Sequence, residues 1–132
     1  MVAPNFEVPQ DANQDGIHDI IVRVSDGRGG IDEQTIHVTV TDVNDAPISV
    51  ADGDFRTDQL SSVTVSGPGL LVNDFDEDGD PLTAVLVADA QHGRLTLNAD
   101  GSFVYTPNAG FTGTDQFQYA ASDGNMLSAL VT

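Results

Sequence analysis

The 132-residue sequence predicts an all-β protein, an antiparallel β-sandwich of about seven short strands preceded by a β-hairpin. Three observations carry that expectation. Apolar residues recur with period two over short runs, as on a half-buried strand. The runs are punctuated by Gly, Asp, Asn and Pro clusters, residues that supply positive φ, local side-chain turns and a fixed φ. No stretch carries a helical pattern. A hydrophobic content of 39% can fill a sandwich core, though not a large one.

The hairpin comes first. Ile20, Val22 and Val24 alternate with Ile21, Arg23 and Ser25. Asp26-Gly27-Arg28-Gly29-Gly30 turns the chain, and Ile36, Val38 and Val40 then alternate with His37, Thr39 and Thr41. Residues 17–42 therefore predict two antiparallel strands with one apolar face, Ile20, Val22, Val24, Ile36, Val38 and Val40. A lone hairpin is marginal in water. This one is expected either to be loosely ordered or to pair its face with that of a second chain. Asp42-Val43-Asn44-Asp45-Ala46-Pro47 ends the ladder, because Pro47 holds Ala46 extended.

The longer pattern spans residues 48–132. Ile48 and Val50 open it, Val63 and Val65 form a strand, and Gly67-Pro68-Gly69 turns before Leu70-Leu71-Val72 anchors the core. Leu82 to Ala88 is almost wholly apolar and predicts a central strand. Leu95 and Leu97, then Phe103 and Tyr105, flank an Asn98–Gly101 turn. Phe117, Tyr119 and Ala121 alternate with Gln116, Gln118 and Ala120, and Leu127 to Val131 starts a last strand. The alternation of Phe103, Tyr105, Phe117 and Tyr119 places these rings in the core rather than on a sugar-stacking platform. Val24-Ser25-Asp26-Gly27 and Ala121-Ser122-Asp123-Gly124, each followed by a strand, form a repeat. Residues 1–46 thus read as the C-terminal part of one module plus a linker, and 47–132 as the module that follows. Met1 precedes what reads as the middle of a module, an artificial start.

Charge narrows the function. The net charge is −17, from 21 acids against four Arg and no Lys. That excludes nucleic acid as a partner, since phosphates need cations, and disfavours anionic membranes. No apolar run approaches the ~18 residues of a membrane helix, so no membrane insertion is expected. There is no cysteine, hence no disulfide. The acids cluster in loops, above all Asn73-Asp74-Phe75-Asp76-Glu77-Asp78-Gly79-Asp80, with no Lys or Arg between Arg56 and Arg94. Alternating Asp around a Gly bend suits Ca²⁺, which gathers six to eight oxygens. A second such run is Asp11-Ala12-Asn13-Gln14-Asp15-Gly16. Neither is an EF-hand, since the twelfth positions are Val22 and Val85 rather than Glu. His18, His37 and His92 are scattered, and grouped acids beside Gly fit calcium ligation better than glycosidase chemistry. No enzyme activity is expected.

Several stretches resemble a known family. Asp42-Val43-Asn44-Asp45-Ala46-Pro47 resembles the D-x-N-D-x-P linker of cadherin repeats. Gly69 to Thr83, His92 to Pro107 and Phe111 to Phe117 resemble bacterial cadherin-like and Ig-like tandem repeats of large secreted adhesins of the RTX type. The resemblance implies an Ig-like/cadherin-like antiparallel β-sandwich, preceded by a hairpin fragment of an upstream sandwich module. It also implies an extracellular or bacterial cell-surface location, a role in cell adhesion and biofilm, and Ca²⁺ at module junctions. Neighbouring repeats of the same chain become the expected partners, with homotypic or glycan contacts as further ones. In such a sandwich the loop after the second strand and the Asp123 loop lie where the chain enters the second module. Glu7 and the Asp11–Asp15 run lie where it leaves the first. The cadherin pattern implies Glu7, Asn44, Asp45, Asp76, Asp78 and Asp123 as Ca²⁺ ligands, with Asp42, Asp74 and Asp80 as second choices. Asp11, Asn13 and Asp15 form either a separate site or a solvated loop. The rival reading is a carbohydrate-binding module of a polysaccharide-degrading enzyme, for which an exposed aromatic pair, with Phe55 and Phe75 as loop candidates, would be the mark.

Overall fold

The computed structural model describes residues 16–59 and 61–132. It divides into two compact units, with the boundary between Asn44 and Asp45. The first unit holds the expected hairpin, β1 (Ile17–Ser25) and β2 (Ile31–Thr39). They pair antiparallel with Ile20 opposite Ile36 and Arg23 opposite Glu33. The turn closes because Asp26 Oδ1 accepts the amides of Arg28 at 2.8 Å and Gly30 at 2.9 Å. Gly27 and Gly29 take φ of 70° and 102°, which L side chains rarely adopt. Those two hydrogen bonds hold the Asp26 carboxyl below its usual range. Opposed residues of an antiparallel pair share a face. Ile20, Val22, Val24, Ile36 and Val38 therefore lie together, and all are exposed. The other face carries the Arg23–Glu33 ion pair and a 2.5 Å contact between His37 Nδ1 and Asp19.

The second unit is an antiparallel β-sandwich. Its strands are β3 (Val63–Val65), β4 (Thr83–Ala88), β5 (Gly93–Leu97), β6 (Phe103–Pro107) and β7 (Gln118–Ser122). One sheet runs in the order β3-β6-β5 and the other pairs β4 with β7. Leu70, Phe103 and Tyr119 form the buried core, with Val63, Val65, Leu95, Leu97, Tyr105 and Phe117 packed around them. The aromatic alternation is thus core, as the period-two pattern predicts.

Leu70 reaches that core on a single 3-10 turn, Gly69–Leu71. Its amide donates to the carbonyl of Gly101 at 3.1 Å. A Cβ on Gly69 would lie 2.2 Å from that carbonyl oxygen, and φ there is +53°. Only glycine lets the two turns approach so closely.

Two expectations are corrected. The apolar run Leu82–Ala88 predicts a central strand, but β4 is an edge, paired among the described residues with β7 alone. Val85, Leu86 and Val87 remain 39%, 38% and 48% exposed, and the ladder shifts register between Leu86 and Ala88. The expected first and last strands are reduced to single bridges, Ile48 with Phe75, Leu127 with Ser122 and Val131 with Tyr119. Near the C-terminal end the reason is local. Ser128 turns its hydroxyl inward, and Oγ rather than a carbonyl accepts the Ala121 amide, at 2.9 Å. A side chain has replaced a rung of the ladder.

Candidate metal centre

The acidic loop leaves the core just after Leu71. Its burial alternates: Asp74, Asp76, Asp78 and Asp80 are half-buried, while Phe75, Glu77 and Gly79 are exposed. The alternation arises because the loop is held as a bridge. Phe75 exchanges two backbone hydrogen bonds with Ile48, at 2.8 and 3.1 Å. Gly79, at φ of 78°, then bends the chain back, and Asp76 Oδ1 accepts the amides of Asp78 at 3.0 Å and Asp80 at 3.3 Å. Asp78 Oδ2 accepts the amide of Asp45 at 2.7 Å. The linker residue Asp45 and the loop are therefore brought together.

Three side-chain oxygens of the loop are left over. Asn73 Oδ1, Asp76 Oδ2 and Asp78 Oδ1 are shielded from solvent and have no hydrogen-bond partner. Carboxylate oxygens removed from water without a donor are costly. A hard cation would satisfy them, so the residues present fit Ca²⁺. In the arrangement described, no three His, Asp or Glu side chains are gathered as a ready-made metal cluster among the described residues.

The other candidate ligands fall as follows. Glu7, Asp11, Asn13 and Asp15 lie outside the described residues. Asp42 and Asn44 belong to the first unit, exposed and half-buried respectively. Asp123 Oδ1 caps its own turn, accepting the amides of Asn125 and Met126 at 2.6 Å each. Asp74 is committed elsewhere. Its Oδ1 accepts the Val50 amide at 2.8 Å, and its Oδ2 lies 3.2 Å from the Tyr119 hydroxyl and 3.3 Å from Ser49 Oγ.

Tyr119 marks a group the sequence pattern does not expose. Its hydroxyl faces three acceptors: Leu70 carbonyl at 2.9 Å, Asp52 Oδ2 at 3.0 Å and Asp74 Oδ2 at 3.2 Å. A phenol has one proton to give. Burial, and then the two carboxylates, push the phenol far up. Burial chiefly, with the Asp74 charge added, raises Asp52, while the bond from Tyr119 works against the rise. The alternation signalled that Tyr119 is core. Nothing in the pattern signalled that its hydroxyl ties the acidic loop to the core, or that Asp52 belongs there.

A second carboxylate organises the opposite loops. Asp115, with its side chain 8% exposed, accepts the amides of Gln91 at 3.1 Å, His92 at 2.8 Å and Gln116 at 3.1 Å, and the Tyr105 hydroxyl at 2.9 Å. Burial by itself raises this carboxyl, but those donors overcome it and bring it down to about 2. Burial and the same contact push Tyr105 up to about 12. The His92 ring stacks on Phe111 at 4.6 Å. This is a structural knot, since every donor is turned on one satisfied carboxylate. Both aromatic candidates for sugar stacking are exposed, Phe55 at 45% and Phe75 at 49%, and Phe55 also sits edge-on to core Phe103 at 5.0 Å.

A family model described as the bacterial Ig domain matches residues 44–132, the sandwich with its entering linker. The chain belongs to the bacterial Ig domain family. Neither a curated protein nor a solved structure matches it. Bacterial Ig domains are structural repeats, commonly found in surface or extracellular proteins and often in tandem with neighbouring modules. No helix among the described residues is long and apolar enough to cross a membrane.

Proposed function

We propose that this bacterial Ig domain is a Ca²⁺-binding structural repeat of a secreted or cell-surface adhesin, a spacer with no catalysis of its own. The observation that carries the reading is the pair of shielded, unpartnered oxygens on Asp76 and Asp78. Asp76 and Asp78 would hold the ion through those oxygens, with Asp80 and backbone carbonyls of the loop available to complete an oxygen shell. The ion supplies charge neutralisation where no Lys or Arg is near in sequence. Because the Asp45 amide already bonds Asp78, fixing the loop also fixes the linker through which the chain enters the module. Stiffness at that linker is what a tandem spacer needs.

The test is calorimetric titration of Ca²⁺ into wild type and into Asp76→Asn/Asp78→Asn, with circular dichroism of both. The reading expects saturable binding to wild type, at least tenfold weaker binding to the double variant, and an unchanged β-sheet spectrum. Equal binding by the two proteins places the ion elsewhere and overturns it.

A further inference from the structure

Asp-Gly steps recur along the chain, and five lie among the described residues: Asp26-Gly27, Asp52-Gly53, Asp78-Gly79, Asp100-Gly101 and Asp123-Gly124. Such a step is chemically weak, because glycine has no Cβ to shield its amide nitrogen from the carboxyl carbon before it. In four of the five the fold restrains both reactants. The glycine amides donate hydrogen bonds, Gly27 to Ser25 Oγ at 3.3 Å, Gly79 to the Asp76 carbonyl at 3.3 Å, Gly101 to the Asn98 carbonyl at 3.0 Å and Gly124 to Ser122 Oγ at 3.1 Å. The carboxylates are held as well. Asp26 accepts the amides of Arg28 and Gly30, Asp78 that of Asp45, Asp100 that of Ser102, and Asp123 those of Asn125 and Met126.

Asp52-Gly53 differs in both respects. Among the described residues the Gly53 amide has no hydrogen-bond partner, and Asp52 accepts no amide, its Oδ2 meeting only the Tyr119 hydroxyl at 3.0 Å. The chain from Ala51 to Asp58 forms no strand or turn, so little stops the peptide plane from rotating. The space is open too, since a Cβ on Gly53 would meet nothing within 4 Å. Burial raises Asp52, which leaves more of it as the neutral acid, the form that sheds its hydroxyl as water most readily.

We propose that Asp52-Gly53 is a modification site, at which the backbone isomerises spontaneously to isoaspartate while the fold protects the other four described Asp-Gly steps. The Gly53 amide nitrogen attacks Asp52 Cγ. A nitrogen–carbon bond forms, a carbon–oxygen bond breaks, and the amide proton leaves with the hydroxyl as one water, closing a cyclic imide. Water then adds back at either imide carbonyl. Opening at one restores aspartate. Opening at the other leaves the chain running through the Asp52 side-chain carbons, one atom longer, with the free carboxylate now on the α-carbon. That carboxylate has lost a methylene of reach, so its bond to the Tyr119 hydroxyl is lost, and with it one tie between the Ala51–Asp58 segment and the core.

The test is to age the full chain for weeks at neutral pH and physiological temperature, in water enriched in heavy oxygen, both folded and in concentrated urea. Peptide mapping by mass spectrometry with electron-transfer fragmentation then separates isoaspartate from aspartate at each step. In the folded chain, more than half of the isoaspartate at the five described steps is expected at Asp52, with heavy oxygen incorporated there. In urea that preference should vanish, because the hydrogen bonds that restrain the other four steps are gone. Gly53→Ala, whose Cβ has room, should melt with wild type and form isoaspartate at Asp52 at least tenfold more slowly. Conversion at Asp52 no faster than at the four restrained steps of the folded chain overturns the proposal, as does a preference for Asp52 that persists unchanged in urea. Unchanged conversion in Gly53→Ala overturns the attack by the Gly53 amide.

Discussion

Replacing Asp115 with Ala removes one acceptor from three backbone amides and the Tyr105 hydroxyl. A buried donor stripped of its partner costs about 1–3 kcal/mol. Gln91, His92 and Gln116 are exposed, so water can take over much of what their amides lose. Tyr105, half-buried against the core, gives up most. The sum is about 2–4 kcal/mol, a large share of the 5–15 kcal/mol that holds a domain folded. For a unit of this size that lowers the melting temperature by roughly 10–25 °C, at 4–8 °C per kcal/mol. The pH dependence supplies an independent check. The carboxyl sits at about 2 against an ordinary 3.8, so the folded state favours the ionised form. Its stabilisation is complete above about pH 4 and fades as pH falls toward about 2. Converted directly, the gap is roughly 2 kcal/mol, and screening at a loop edge reduces the effect to about 1 kcal/mol. Urea denaturation of wild type and Asp115→Asn should therefore show a stability gap that narrows over that window. Melting of Asp115→Ala within about 2 °C of wild type, the range of an ordinary surface change, refutes the reasoning.

Tyr119→Phe leaves the core filled but unties Asp52, Asp74 and Leu70 carbonyl. It should cost about 1–3 kcal/mol, read by chemical denaturation, and speed amide exchange at Val50, whose N–H is bound by Asp74. Unchanged exchange there means the hydroxyl does not position the loop. Gly69→Ala forces a Cβ to within 2.2 Å of the Gly101 carbonyl oxygen at a φ of +53°, and should destabilise by more than about 3 kcal/mol. Gly79→Ala meets nothing within 4 Å and pays only for its positive φ, about 1 kcal/mol. Equal melting temperatures for these two variants would show that crowding is not what selects glycine at position 69.

The hairpin was legible almost residue by residue, because its signals are local: alternation on both strands, and a turn whose Asp26 and glycines define its shape. The rings of Phe103 and Tyr119 were legible as core for the same reason. What alternation cannot report is the order of strands across a sheet. Leu82–Ala88 has the composition of a central strand, yet pairing partners far away in sequence leave β4 at an edge. Nor can it report that Ser128 Oγ substitutes for a backbone acceptor, since a serine in a short apolar run reads as a solvent-facing position. In the acidic loop the residue types identified Asp76 and Asp78 as ligand candidates. The division of labour within the loop was hidden. Asp74 carries the same side chain as Asp76 two positions away, but its oxygens meet the Val50 amide and the Tyr119 hydroxyl, contacts 24 and 45 residues distant.

The central claim is that the acidic loop holds Ca²⁺ and that the ion stiffens the module where the chain enters it. Its most direct test is thermal unfolding of the full chain in EDTA, in millimolar Ca²⁺ and in millimolar Mg²⁺, repeated on Asp76→Asn/Asp78→Asn. A ligand at a hundred times its dissociation constant stabilises by about 2.7 kcal/mol. Wild type should therefore melt roughly 10–20 °C higher in Ca²⁺ than in EDTA, at 4–8 °C per kcal/mol. Mg²⁺, which demands tight octahedral geometry and sheds water reluctantly, should give little of that rise, and the double variant should show almost none with either ion. Superimposable wild-type curves in EDTA and Ca²⁺, or a rise that survives intact in the double variant, would contradict the claim.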